Sequence, residues 1–133
     1  MLRISGESLD VDAMVSECGL VAHRTWRKNE ARLLKGKIHI DSGANFVASG
    51  ADLDDFSGQV KEATEFLRNH SELVARMAAF PGVQTAVLDF GVSLQEGYVS
   101  QFCYLPTQLV QLAASASLAL EISQYACSES DEV

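Results

Sequence analysis

The chain has 133 residues, enough for one domain and too few for two ordinary ones. Hydrophobic residues make up 47% and charged residues 21%, a balance that excludes global disorder. Ten Lys and Arg against eighteen Asp and Glu leave a net charge of −8, which argues against general affinity for nucleic acid or anionic membranes.

In chain order, Leu2 and Ile4 alternate with Arg3 and Ser5, predicting a strand over 1–5 that Gly6 ends. Asp10 is a good N-cap, and Val11, Met14, Val15 and Cys18 follow at helical spacing before Gly19 stops the run. From 20 to 49 the chain reads as extended. Val21 to Trp26, Lys37 to Ile40 and Asn45 to Ala48 are strand-like, and Asp41-Ser42-Gly43-Ala44 supplies turn chemistry for a hairpin between the last two. Asp52 or Asp54 opens the longest helix, whose stripe is Leu53, Phe56, Val60, Ala63 and Leu67. A break falls at 69–71, and a second helical piece carries Leu73, Val74 and Met77 to Pro81-Gly82. The β-prone runs 83–92 and 97–105 suggest an antiparallel pair. Thr107 caps a last helix with Leu109, Leu112, Ala113 and Ala116 inside, then 118–123 alternates as a closing strand.

The resulting class is α+β: an antiparallel or mixed sheet with helices mainly on one face, built as a ferredoxin-like βαββαβ core extended by a βαβ piece. Residues 1–127 form the single domain and 128–133 an acidic tail. The three cysteines show no Cys-x-x-Cys spacing, the most apolar run is far shorter than a membrane span, and acid arrives by Glu7, so the expected location is the cytoplasm without membrane association.

Charge is the most unusual local feature. Between Arg24 and Lys37 lie six of the ten basic residues with Glu30 as the only acid, so this window carries +5 and the rest of the chain −13. Arg24, Trp26, Arg27, Lys28 and Arg32 form a candidate partner-binding loop, with Trp26 as an aromatic anchor among cations. The plainer alternative is a solvated connection with Trp26 packed in the core. A second candidate is a ligand pocket between sheet and helices, where His39, Asp41 and Tyr104 would supply polar contacts. Asp52, Asp54 and Asp55 lack the frame of a calcium loop and read as helix-opening acids, and no nucleophile elbow or phosphate-binding glycine loop is present. No metal, cofactor or catalytic residue is assigned.

The opening Leu2-Arg3-Ile4-Ser5-Gly6-Glu7-Ser8-Leu9-Asp10, the short helix ending at Gly19-Leu20 and the following Thr25-Trp26-Arg27-Lys28 resemble the uncharacterised bacterial domain-of-unknown-function family 4279. The later Leu-rich helix and Leu120-Glu121-Ile122 are similar in kind. Where that family commonly has Gly after the Trp-x-Lys step, this chain has Asn29, which also adopts left-handed turns. The resemblance implies no activity and no catalytic residue; by analogy it points to small immunity-like proteins. The reading from sequence is therefore a non-enzymatic interaction module that binds a protein partner or itself as a homodimer. The alternative is a small-ligand-binding or weakly enzymatic domain.

Overall fold

The computed structural model describes residues 1–32 and 36–126; Lys35, Cys127 and the acidic 128–133 segment of the sequence reading lie outside them. The chain runs β1 (Leu2–Gly6), α1 (Val11–Cys18), β2 (Arg24–Trp26), β3 (Ser42–Phe46), α2 (Phe56–Ala78), β4 (Thr85–Ser93), α3 (Thr107–Ser115) and β5 (Ala119–Tyr125). One sheet is ordered β2-β3-β1-β4-β5. β1 pairs antiparallel with both β3 and β4, β2 pairs antiparallel with β3, and β5 lies parallel to β4. The first four strands follow the split βαβ order of a ferredoxin-like core, and α3 is the crossover that adds β5 in parallel. The class is α+β.

Side-chain alternation explains the layers. Leu2, Ile4, Ala44, Phe46, Leu88 and Phe90 share one face of the sheet and are at most 2% exposed. They join one core cluster with Val11 and Met14 of α1, Val60, Ala63 and Leu67 of α2, and Leu109 and Ala113 of α3. All three helices therefore bury their apolar stripes against that face. The opposite face carries Arg3, Ser5, Asn45, Asp89 and Glu121, in register on neighbouring strands. No helix among the described residues is long and apolar enough to cross a membrane.

Local chemistry fixes the element ends. Asp10 accepts from the Ala13 N–H and Gly19 closes α1 at φ 75°, as expected of cap and stop. For α2 the cap is Asp55, not Asp52 or Asp54: its carboxylate accepts from the Gly58 N–H, three residues on, while the Asp52 carbonyl accepts from the Gln59 side chain. The expected break at 69–71 is present as a kink at His70 (φ −128°, ψ 20°), where two helical segments meet within Phe56–Ala78. Val74 and Met77 beyond it are buried in the same core, so both segments pack on the same face.

Beyond the cap of α2, four expectations are corrected. Thr107 does not cap α3: the N-cap position is Pro106, with no side-chain cap bond. Residues 97–105 form no strand, because β1 and β5 occupy the two edges of β4 and leave none for a hairpin return. Tyr98, Val99, Phe102 and Tyr104 are instead exposed in the 94–106 connection, so the extension contributes one helix and one strand. Ser42, Gly43 and Ala44 are strand, not turn: they pair with Gly6, Ser5 and Ile4, and their small side chains suit a crowded central position. Residues 37–40 do not form a hairpin with β3, whose outer edge belongs to β2; among the described residues their β-pairing is a single bridge, Ala31 to Ile38.

Candidate anion site on the open face of the sheet

The open face is built by register. Arg3 on β1 stands opposite Asn45 on β3, which stands opposite Arg24 on β2. In the next row of the same face Ser5, Gly43 and Trp26 are aligned. Gly43 is required there: a Cβ would run into the Trp26 ring and come 2.7 Å from the Ile4 carbonyl oxygen. The half-buried indole thus sits over Gly43, where side chains are smallest.

A ribbon folds back over this face. Asn29 N–H donates to the His39 carbonyl (2.8 Å), His39 N–H to the Glu30 carbonyl (2.9 Å) and Arg32 N–H to the Lys37 carbonyl (2.9 Å). Its bend uses Asn29 at φ 73°, the left-handed conformation anticipated for that residue. The ribbon delivers His39, whose ring stacks on Trp26 (5.9 Å between centroids, 24° between planes), and Asp41, which accepts from Trp26 Nε1–H at 3.0 Å. The indole is clamped between backbone and imidazole and hydrogen-bonded at its edge.

The resulting hollow, about 590 Å³, is walled by Arg3, Arg24, Arg32, Trp26, His39 and Asn45. Among the described residues Arg24 and Arg32 have no carboxylate partner; Arg3 donates to Glu121 on β5 at 2.9 Å. Among the described residues no donor reaches the buried Asn45 Oδ1 atom. Asp41 is the hollow's own acid, and it is engaged by the indole. Such a constellation concentrates cationic donors with few internal partners, which is what an anionic group needs.

The two residue sets read from sequence are redistributed. Arg24, Trp26, Arg32, His39 and Asp41 come together in this hollow. Arg27 turns the other way and forms a two-point pair with the Asp12 carboxylate on α1, with Glu30 3.8 Å away. That hydrogen bond holds the Asp12 carboxyl below its ordinary range and raises the guanidinium. Lys28 contributes its backbone N–H to Ser42 Oγ (2.9 Å) and does not line the hollow. Tyr104 lies apart, with Phe102, Phe56 and Val60 in a groove of about 510 Å³ between α2 and the start of α3. His39 and Asp41 do not sit between sheet and helices, because the ribbon crosses the sheet's other face. Sequence reasoning missed Arg3 and Asn45. Their signal was parity: each neighbours a core residue (Leu2 or Ile4, and Ala44 or Phe46) and so points to the opposite face.

Fold and site define an α+β sheet protein with helices on one face and a cationic hollow on the other. Comparison with family models, with curated proteins and with solved structures finds no match.

Proposed function

We propose that this chain is a non-enzymatic interaction module whose open sheet face receives an acidic segment of a protein partner. The observation that carries the reading is the meeting of Arg3, Arg24 and Arg32 around one concavity, on a chain whose net charge is −8. An acidic body discourages non-specific anion binding, so a local cationic hollow selects by position as well as by sign. Trp26 acts as the rigid floor that sets the ribbon's height and does not insert into the partner.

Self-association is the second reading, and it rests on the same face. Its β2-β3-β1 half carries the arginines and its β4-β5 half carries Asp89 and Glu121. Two copies packed face to face about a two-fold axis would set each copy's carboxylates against the other's arginines.

Trp26 is the only tryptophan, so its fluorescence reports the hollow directly. Titration with an acetylated hexaglutamate peptide is expected to give a saturable change that hexalysine does not give. The Arg24→Glu, Arg32→Glu double variant is expected to lose on the order of a hundredfold in affinity, about 2.7 kcal/mol for two charge-assisted contacts. Equal binding of both peptides, or an unaffected double variant, would refute the reading. Light-scattering mass distinguishes the self-associated form.

A further inference from the structure

The row Arg24–Asn45–Arg3 has a feature that docking by charge alone does not require. Directly opposed residues of neighbouring antiparallel strands hold their Cβ atoms about 4.5–5.5 Å apart, so two arginines are rooted on either side of one carboxamide, the Arg3 head group reaching across β4 to Glu121. The Asn45 oxygen between them is buried and has no donor among the described residues, an unfavourable arrangement that turning the carboxamide toward a ligand's donor relieves. Arg24 has no carboxylate partner among the described residues, and Arg3 spends one N–H contact on Glu121. A guanidinium has five donors, so most of Arg3's capacity is unspent. The Arg3–Glu121 pair is partly exposed, with side chains 35% and 48% accessible, and such pairs exchange readily.

We propose that this row is a binding site for an oxyanion, a carboxylate or phosphate group carrying a neighbouring N–H or O–H donor, and that Glu121 is its internal competitor. The proposal deepens the acidic-partner reading and rests on it. The oxyanion takes Arg24 and the Arg3 guanidinium in place of Glu121, while the Asn45 carboxamide turns to present its Oδ1 to the neighbouring donor. Glu121 is the carboxylate that occupies Arg3 when the site is empty. Removing it frees Arg3 to turn back over β1 toward Asn45 and tightens binding, an effect that damage to the fold does not produce.

The test is a titration of the nitrogen-15-labelled chain, followed by NMR, with acetylated hexaglutamate in one arm and inorganic phosphate in the other. The Asn45 side-chain amide and the Trp26 indole N–H are expected to shift with saturable dependence. Glu121→Gln, with Glu121→Ala as a second removal, is expected to tighten binding about three- to tenfold; Arg24→Gln is expected to weaken it about tenfold, a single charge-assisted contact. Glu65→Gln on α2, which removes an equal charge without touching Arg3, is expected to stay within about twofold of the natural chain. An affinity unchanged or weakened by both Glu121 variants overturns the competitor. A silent Asn45 amide in both arms overturns the oxyanion site. If hexaglutamate binds while Asn45 is silent, the acidic-partner reading stands and the oxyanion site falls; if phosphate alone shifts Asn45, the oxyanion site stands and the peptide reading falls.

Discussion

Trp26 shows how a single residue organises the candidate site. Its ring rests on Gly43, stacks under His39 and donates to Asp41, so three short-range constraints fix the ribbon over the sheet. Gly43→Ala forces a methyl group into the indole and against the Ile4 carbonyl. It is expected to destabilise the chain by about 1–3 kcal/mol, the usual cost of overpacking, and to shift the Trp26 emission toward that of an exposed indole. Urea unfolding and an emission spectrum check both, and a Gly43→Ala chain with the natural midpoint and spectrum would refute the clamp. Asn29 gives a complementary case at φ 73°. Asn29→Gly is expected to match or slightly exceed the natural stability, and Asn29→Ala to lose about 1 kcal/mol, because left-handed backbone costs a side chain with a Cβ and no polar group roughly that much. Equal melting temperatures for the two variants would contradict the left-handed bend.

At the scale of elements, the Arg27–Asp12 pair ties the ribbon to α1. Asp12 has its carboxyl pKa lowered in the folded chain, chiefly by the hydrogen bond from Arg27. A depressed folded pKa means stability that is present above the unfolded carboxylate pKa and is lost as pH falls through the folded one. The pair is exposed at the surface, so the effect is small and screened by salt. Asp12→Asn is therefore expected to flatten the acid side of the melting-temperature profile, most visibly at low ionic strength. Parallel profiles for the two chains would contradict it. Elements that bury a periodic stripe were legible in the sequence: β1, α1, the two halves of α2, α3 and β5 all follow the spacing of their core residues. Elements decided by competition for a sheet edge were not. Residues 97–105 have strand composition but β4 has no free edge, and 37–40 face a β3 edge already taken by β2. Ser42-Gly43-Ala44 resembles a turn locally, and only the pairing with β1 makes it a strand.

At the scale of the molecule, the charge split visible in the sequence becomes a position. Of the basic window, Arg24 stands on β2 and Arg32 on the ribbon over the sheet's open face, while Arg27 and Lys28 serve the ribbon's own attachment. The site's other half, Arg3 and Asn45, lies outside that window in sequence and is brought to it by strand order alone. For this reason the candidate residues near Trp26 were half legible and those on β1 and β3 were not. The hollow's charge is also what an association measurement reads most directly. Hexaglutamate affinity, followed by Trp26 fluorescence across a series of salt concentrations, should fall steeply as salt rises in the natural chain. In the Arg24→Glu, Arg32→Glu variant it should be weak and nearly flat, since the contacts that salt screens are gone. Binding that is indifferent to salt, or an identical slope in both chains, would contradict a cationic docking face.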